Sequence, residues 1–507
     1  DDLSRGLGDV YKRQVESNQQ KISKFLKSDQ VTYKGLEKEN LRSDLEGKIS
    51  NKSFPSNFGV HNFNRYITLD YSEPHLEIVT PPFEQNIDAY NFLCDLHKYV
   101  EESLDGDLLW NYSMPPKFKR KYIKLPPHRE SNATKLAHLY RLGLRNRYGD
   151  KMQSTAGIHY NFSFSDSVIE ALGNNKTEIY LGISRNFLRV FPLILRLMGC
   201  SPVTHKSFLK GRNINIENLN GEDCYLPKST SLRVSRLGYY SEEQDENFIT
   251  FNSLEGYLGT IKDYINIPNE KFKNISLDLK QQVNNGTIQM ESELYNHVRP
   301  KGVISKKIRP YNQLKNHGVE YLEIRSIDLN PYTSIGISIE DIEFLELVLI
   351  YCALADSPPI DDVESECIKE NIKRSSEAGQ NCNFIKSLEN KNAEESAKIL
   401  TEKFLINLQD FAKDIGFSKK SEGLFSEYFQ RNNLPLSEKL INDLDKSKDL
   451  ISFVINKSAP IRHKIKKENL LLFKKECNFS EKQYIRDEKE DNMLFEDYLK
   501  HFRGEIE

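Results

Sequence analysis

The sequence of 507 residues lacks several features that assign proteins to common classes. Its seven cysteines are scattered singly, and the absence of a C-x-x-C pair argues against a zinc ribbon or a thioredoxin-like site. No apolar run is long enough to span a bilayer, because the longest, residues 344–355, is interrupted by Glu346. An excess of charge is also lacking, since 71 basic residues balance 74 acidic ones and the net charge is -3. We therefore expect no nucleic-acid partner and no membrane association.

Two glycine-rich patterns that bind phosphates are absent as well. The sequence has no G-x-x-x-x-G-K-[ST] loop and no G-x-G-x-x-G turn, so side-chain cations and metal ions would have to hold any bound nucleotide. Hydrophobic residues at 38% and charged residues at 29% are typical of a globular protein. Singly spaced cysteines suit a reducing compartment, and we expect a cytoplasmic protein.

Composition divides the chain into three segments. Residues 1–14, DDLSRGLGDVYKRQ, have no apolar core and little amphipathic order, and we expect a non-native or disordered leader. Residues 15–385 mix strand-like and helix-like patterns and would form the main domain. Residues 386–507 are rich in Lys, Glu, Asn and Leu. Their periodicity predicts a helical region packed on the main domain.

Several stretches carry specific helix signals. Residues 88–104 repeat apolar residues at helical spacing. Ser338 followed by Asp341 predicts a capped helix, and the apolar run after it predicts that this helix is buried. Residues 392–416 place six apolar residues on one helical face and end at Gly416. Residues 436–456 and 489–502 are expected to be helical too.

Four short segments predict strands whose polar residues share one face. A strand sends alternate residues to the same side, so GLEKENLR brings Glu37 and Glu39 together. The other segments are ITLDYSEPHLEIV, GIHYNFSF and VEYLEIRSID, and their corresponding polar residues are Asp70, Glu77, His159, Asn161, Glu323 and Arg325. Each segment alone is typical of a half-solvated antiparallel sheet.

If these strands are neighbours, five carboxylates and one imidazole meet over one concave face. Such a concentration of negative charge would retain protons unless cations were bound. Oxygen-rich ligand sets favour Mg²⁺ or Mn²⁺, and a set this large suggests more than one ion, with ATP as the natural companion. Candidate cations for phosphates are Arg299 and Lys301 of HVRPKG, and Arg233 and Arg236 of TSLRVSRLGY. Arg325 would clamp a substrate carboxylate through two parallel hydrogen bonds.

In this order, the segments resemble the glutamate–cysteine ligases of the gamma-proteobacterial type. The resemblance covers about residue 31 to about residue 360 and rests on GLEKENLR, ITLDYSEPHLEIVTP, LYRLGLRNRYG, MQSTAGIHYNFSF, TSLRVSRLGY, ESELYNHVRPK, VEYLEIRSIDLNP and YCALADSP. It implies an α+β carboxylate–amine ligase domain over residues 15–385, related to the catalytic sheet of glutamine synthetase. In that fold a curved antiparallel sheet forms a funnel-like site surrounded by helices.

The resemblance also implies a reaction. ATP would phosphorylate the gamma-carboxyl of L-glutamate, and the amine of L-cysteine would attack the gamma-glutamyl phosphate. The products would be gamma-glutamylcysteine, ADP and phosphate, in the first step of glutathione biosynthesis. A monomer that binds these three small molecules is expected.

Individual roles follow from the matching motifs. The implied metal ligands are Glu37, Glu39, Asp70, Glu77, His159 and Glu323. The implied substrate-binding residues are Gln153 and Asn161 for glutamate, and Tyr71, Tyr140, Leu144, Tyr239 and Tyr295 for cysteine. Arg325 and Arg233 are the candidate catalytic cations, at the glutamate carboxylate and the cysteine pocket, and Arg299 and Lys301 would lie near the phosphates. Tyr71 stands where the family pattern has Phe, so an additional hydroxyl is expected in the pocket wall.

Three alternatives remain open at this point. A gamma-glutamyl ligase could use another amine acceptor on the same fold. A guanidino-kinase-like phosphotransferase would stop at phosphoryl transfer and form no amide. A non-catalytic metal-binding protein is the third, and the intact carboxylate set argues against it.

Overall fold

The computed structural model describes residues 19–212, 214–246, 249–303, 308–385, 393–417, 421–445 and 449–506. The expected leader and the expected domain boundary at residue 386 lie outside these ranges. Within them, we find no helix with the length and apolar character that crossing a membrane requires.

The described strands range in length from two residues in β7 to twelve in β1. In chain order they are β1 (Thr32–Ser43), β2 (Ile67–Leu69), β3 (His75–Val79), β4 (Leu108–Trp110), β5 (Gly157–Phe164), β6 (Val203–His205), β7 (Glu217–Asn218), β8 (Asp223–Tyr225), β9 (Val298–Lys301), β10 (Tyr321–Asp328), β11 (Asn383–Ile385) and β12 (Glu394–Ser396).

Helices make up most of the remaining described structure. They are α1 (Gln19–Lys27), α2 (Asn86–Glu101), α3 (Asn132–Tyr148), α4 (Asp166–Leu172), α5 (Lys176–Met198), α6 (Lys206–Leu209), α7 (Glu242–Asp245), α8 (Leu254–Asn266), α9 (Pro310–His317), α10 (Ile339–Leu354), α11 (Asp362–Ala378), α12 (Ala397–Asp414), α13 (Ser421–Asn433), α14 (Leu436–Asp445), α15 (Leu450–Lys457), α16 (Lys467–Glu490) and α17 (Phe495–Gly504).

One seven-stranded antiparallel sheet organises the fold. Its order is β2-β3-β1-β5-β10-β9, and β4 pairs with the far end of β1. The four strands predicted from alternating polarity are therefore neighbours, as a shared polar face requires. Two smaller sheets are formed by β6, β8 and β7 and by β11 and β12.

The helix predictions are confirmed where local signals were strong. Helix α2 begins two residues before the predicted start, and α12 ends two residues before Gly416, whose φ is 71°. Ser338 and Asp341 form the predicted capping box at the start of α10, with each side chain bonded to the other residue's backbone N–H. For the helical segment expected near residues 489–502, the structure has two helices, α16, which begins well before residue 489, and α17.

Helix α16 escaped prediction because its buried stripe is narrow and partly polar. Its buried residues are Phe473, Glu476, Cys477, Ser480 and Tyr484. The ring of Phe473 packs edge-on against Phe92 of α2 at 5.3 Å between centroids. This contact joins a C-terminal helix to a helix that covers the main sheet, and the division into a main domain and a helical region stays a prediction.

Strand β1 carries the site on one face and the core on the other. Its even-numbered residues Lys34, Leu36 and Lys38 are buried on the face opposite Glu37 and Glu39. The helices α2, α5 and α10 contribute to the same apolar cluster as Leu36. The sheet is thus supported from behind by helices while its polar face stays available.

Two buried lysines on this core face have different partners. Lys34 Nζ lies 2.9 Å from Glu346 Oε1 of α10 and forms an ion pair. Lys38 Nζ instead contacts His97 Nδ1 of α2 at 2.9 Å. Burial lowers the pKa of Lys38 to about 7, against the opposing effect of Glu101. Lys38 therefore resists protonation in the fold.

Replacing these lysines by methionine should have opposite effects. Lys38→Met should raise the free energy of unfolding at pH 7 by about 1–3 kcal/mol, because it removes the cost of burying a charge. Since the pKa of Lys38 falls from 10.5 to about 7, that cost is complete below about pH 7 and disappears as the pH rises toward 10.5. The gain should shrink accordingly in denaturant or thermal unfolding.

Lys34→Met is the matched control. It leaves Glu346 buried without its ion-pair partner and should lower the free energy of unfolding by about 3–5 kcal/mol. Equal destabilisation by both variants, independent of pH, would contradict this account of Lys38.

Candidate active site

The register of the sheet aligns the polar residues predicted to share a face. Glu39 lies opposite Glu77 across β1 and β3, and Glu37 lies opposite His159 across β1 and β5. Glu323 lies opposite Asn161 across β10 and β5. Opposite residues of an antiparallel pair have Cβ atoms about 5 Å apart, so side chains from four strands converge.

His159 lies at the centre of this convergence. Its Nδ1 is 3.2 Å from Glu37 Oε2 and 3.7 Å from Glu323 Oε1. Its Nε2 is 3.2 Å from Glu39 Oε1. Two groups of three have ligand atoms within 4.8 Å of one another: Glu37, His159 and Glu323, and Glu39, Glu77 and His159. Two adjacent positions that could hold a divalent cation therefore share one imidazole.

The protonation of these groups reflects crowded negative charge. Burial and Arg325 oppose the charged form of His159, but Glu39 and hydrogen bonds to Glu37 and Glu39 raise its pKa to about 9. Burial acts to raise the pKa of Glu37, but the hydrogen bond and charge of His159 together with the charge of Lys301 outweigh it, so that this pKa is lowered. Burial raises the pKa of Glu77 well above its ordinary value, and the charge of Glu37 adds to this. One imidazolium leaves negative charge uncompensated, so this donor set fits divalent cations.

Asp70 lies beside a histidine that was not among the predicted site residues. Its Oδ2 lies 3.3 Å from Nδ1 of His75, whose side chain is fully buried. Burial and the charge of Glu39 raise the pKa of Asp70. Asp70 belongs to neither group of three ligand atoms. The signal for His75 was its place two residues before Glu77 on the same strand face.

A row of cations borders Glu323. Arg325 Nη1, Lys301 Nζ and Arg299 Nη1 lie 3.0, 3.5 and 3.6 Å from its carboxylate oxygens. These cations outweigh the effect of burial and lower the pKa of Glu323 well below its ordinary value. The pairing of β10 with β5 shifts register between Ile324 and Ile327, so Arg325 lies in a bulge. Bulges redirect side chains and are frequent beside active sites.

Arg233 reaches the array from a loop by passing over a glycine. Its Nη2 lies 3.9 Å from Glu39 Oε2 and donates to the backbone oxygen of Arg325 at 3.1 Å. A Cβ at Gly157 would lie 2.2 Å from this nitrogen, so only glycine leaves room for the guanidinium. Arg236, the other candidate in this segment, is exposed and lies 5.8 Å from the centre of the Tyr240 ring.

The two residues predicted to bind glutamate, Asn161 and Gln153, each make one side-chain hydrogen bond to another predicted site residue. Asn161 Nδ2 donates to Glu37 Oε1 at 2.8 Å. Gln153 Nε2 donates to the hydroxyl of Tyr295 at 2.9 Å, and the Tyr295 ring meets Tyr239 edge-on at 4.4 Å. Asn161 thus contacts the carboxylates, whereas Gln153 contacts the aromatic residues.

The other predicted pocket residues form an apolar cluster. Tyr71 and Leu144 are buried in it, and Tyr140 packs against it. Burial raises the pKa of Tyr140 well above its ordinary value, and nearby Glu293 and Tyr239 add to the effect. Tyr140 therefore lies close both to the cluster of Tyr71 and Leu144 and to Tyr239.

The sheet and its site define an ATP-dependent ligase, in which carboxylates that suit divalent cations lie beside cations that suit phosphates and a substrate carboxylate. The family model for glutamate–cysteine ligase matches residues 17–375. Glutamate–cysteine ligase from Wigglesworthia glossinidia brevipalpis is 38% identical over 475 residues, which are 88% of this chain and 91% of that protein. The enzyme from Vibrio campbellii is 36% identical over 374 residues, 71% of this chain and 70% of that protein. The chain belongs to the glutamate–cysteine ligase family.

Solved structures agree on the fold. Glutamate–cysteine ligase from Francisella tularensis, in complex with AMP, superposes with a TM-score of 0.87 at 24% identity. The superposition covers 93% of this chain and 97% of that one. A bifunctional glutathione synthetase from Pasteurella multocida gives a TM-score of 0.67 at 22% identity, over 92% of this chain and 55% of that one. The expected α+β architecture, an antiparallel sheet surrounded by helices, is confirmed.

Binding of Mg²⁺ to the metal-free protein should release protons. With a pKa raised to about 9, His159 keeps its proton at neutral pH, and a cation needs the neutral imidazole. The apparent affinity for Mg²⁺ should therefore increase as the pH rises toward about 9 and level off above it. Titration calorimetry in buffers of different ionisation enthalpy measures the protons released. Binding without proton release at neutral pH would contradict the metal ligation by His159 that the resemblance implies.

Proposed function

We propose that this ligase carries out its reaction on the sheet face formed by β3, β1, β5 and β10. The reaction joins the gamma-carboxyl of L-glutamate to the amine of L-cysteine and consumes ATP. It yields gamma-glutamylcysteine, ADP and phosphate, and it is the first step of glutathione synthesis. The observation that carries the location is the convergence of Glu37, Glu39 and Glu323 on His159, beside a row of cations.

The reaction requires activation of a poor electrophile. An oxygen of the glutamate gamma-carboxylate attacks the terminal phosphorus of ATP, the bond to ADP breaks, and an acyl phosphate forms. The cysteine amine then attacks the acyl carbon, phosphate leaves, and the amine loses a proton. Because the acyl phosphate is sensitive to water, the protein must hold the three substrates in line and exclude solvent.

The residues proposed to hold Mg²⁺ or Mn²⁺ are Glu37, Glu39, Asp70, Glu77, His159 and Glu323. The uncompensated charge around Glu77 supports this fit, and the two groups of ligand atoms support more than one ion. Divalent cations bound there would neutralise the negative charge that phosphoryl transfer spreads over phosphate oxygens.

The cations beside the array have separate proposed roles. Arg325 binds the alpha-carboxylate of glutamate with its guanidinium fork, and Gln153 and Asn161 assist it. Arg299 and Lys301 bind the phosphates of ATP, because both lie on the adjacent strand β9 and their side chains reach Glu323. Arg233 lies beside Glu39 at the boundary with the aromatic wall and orients the acceptor.

The acceptor pocket is proposed to be aromatic. Tyr71, Tyr140, Leu144, Tyr239 and Tyr295 form its wall. A thiol is a weak hydrogen-bond donor and contacts aromatic rings favourably, so such a wall suits cysteine better than a hydroxyl-bearing acceptor. The family forms an amide, which sets aside the phosphotransferase and the non-catalytic alternatives.

A cytoplasmic monomer is also proposed. All seven cysteines are free, and six of them are buried. Free, buried thiols are typical of proteins from reducing compartments.

Product analysis tests the proposed reaction directly. The purified protein with ATP, Mg²⁺, L-glutamate and L-cysteine should form gamma-glutamylcysteine and ADP in equal amounts, and omission of either amino acid should stop amide formation. Serine and 2-aminobutyrate serve as competing acceptors. ADP formation without an amide, or a clearly higher kcat/KM for another acceptor, would contradict the proposal.

Neutralising a proposed metal ligand should abolish turnover while preserving the fold. Glu37→Gln and Glu323→Gln keep side-chain volume but remove a charged ligand, and kcat/KM should fall at least about 100-fold. Glu46→Gln is the control, because the Glu46 side chain is 71% exposed and pairs only locally with Lys48. Near-normal activity in either ligand variant would refute its assignment.

Arg325→Lys should impair glutamate binding selectively. Lysine keeps the charge but cannot form two parallel hydrogen bonds to a carboxylate, so KM for glutamate should rise about tenfold or more. KM for ATP and for cysteine should change much less. An unchanged KM for glutamate would assign the substrate carboxylate to another group.

A further inference from the structure

A buried carboxylate outside the metal array holds one wall of the proposed acceptor pocket. The side chain of Asp150 is 2% exposed and accepts hydrogen bonds from three groups. Tyr71 Oη donates to Oδ1 at 2.8 Å, and Arg145 Nε donates to the same oxygen at 2.7 Å. Arg120 Nε donates to Oδ2 at 3.1 Å. We call these four residues the Asp150 clamp.

The Asp150 clamp joins segments that are distant in sequence. Tyr71 directly follows the proposed ligand Asp70, and Arg145 lies in α3 beside Leu144. Asp150 itself sits between the end of α3 and the short helical turn Met152–Ser154 that precedes β5. Its backbone oxygen accepts the hydroxyl of Ser154 at 2.6 Å, which fixes this turn.

The clamp determines where the Tyr71 hydroxyl points. The ring is packed in the apolar cluster with Leu144, Ile49 and Ile123. The hydroxyl faces Asp150, which also binds the 77% exposed side chain of Arg120 on the outer side. The hydroxyl expected from the sequence to line the pocket thus ends on a buried carboxylate.

We propose that Asp150 is a positioning residue for acceptor selectivity, because it holds the Tyr71 hydroxyl out of the pocket and presents only the aromatic ring to the acceptor. This inference rests on the proposed assignment of Tyr71 and Leu144 to the acceptor pocket. A free hydroxyl in the pocket would give a serine hydroxyl a hydrogen-bond partner. A cysteine thiol, being a weak donor, would gain little from it.

The test is a double-mutant cycle on selectivity. The measured quantity is kcat/KM for cysteine divided by kcat/KM for serine. Asp150→Ala should lower this ratio about fivefold to tenfold, the effect of one net hydrogen bond to serine. Tyr71→Phe should leave the ratio within about twofold of the unmutated protein, because the ring remains. In the double variant the ratio should return to the Tyr71→Phe value, since no hydroxyl is left to enter the pocket.

Asp95→Ala provides a matched control for lost stability. The Asp95 side chain is 1% exposed in α2, on the core side of the sheet, and it binds Asn469 Nδ2 at 2.7 Å and His463. This variant should lose stability without changing the selectivity ratio. A matching fall in the ratio would mean that selectivity only follows stability, and it would overturn the inference.

Other outcomes separate this inference from the proposed function. If the double variant is as unselective as Asp150→Ala, or if Asp150→Ala keeps its ratio, Asp150 has only a structural role. If Asp150→Ala does not fold, Tyr71→Phe alone decides: a clear rise in the ratio would show that the hydroxyl already contacts the acceptor. If the unmutated protein forms no amide or prefers another acceptor, the proposed function itself fails.

Discussion

The register of β1 between β3 and β5 is the constraint on which the site depends. Side chains alternate along a strand, so a slip of one residue would turn Glu37 and Glu39 into the core and bring Lys34 and Lys38 to the site. Contacts on the other face of β1 disfavour such a slip, because Lys34 and Lys38 have specific partners on α10 and α2. His159 then meets the carboxylates from the adjacent strand. The polar face is therefore held in place largely by contacts on the other side of the sheet.

A second feature of the site is negative charge on its carboxylates that neighbouring cations do not fully compensate. His159 supplies one positive charge to Glu37 and Glu39, and the row of cations compensates Glu323, while Glu77 remains next to other acids with its pKa raised. Repulsion of this kind disfavours the metal-free fold and makes cation binding and stability interdependent. The proposed binding of divalent cations would relieve this repulsion.

Reactive groups and selectivity groups come from different parts of the chain. Strands, which are rigid and regular, carry five of the six proposed metal ligands and Arg325, the arginine proposed to bind glutamate, whereas Asp70 follows directly after β2. Loops and helix α3 carry the aromatic wall. The two parts meet at Asp70 and Tyr71, neighbours in sequence that face the array and the Asp150 clamp respectively. A change in the clamp could therefore alter the acceptor while leaving the phosphoryl-transfer groups in place.

Sequence patterns that span only a few residues were sufficient to predict part of this structure. Period-two alternation determined which face Glu37 and Glu39 share, and the Ser338 capping box determined the start of α10, because both effects act within a few residues. The order of motifs along the chain was enough to indicate the family. Strand order, the bulge at Arg325 and the Asp150 clamp were decided only in three dimensions. They depend on which distant segments pack together, and pairing between residues many positions apart leaves no periodic trace in the sequence.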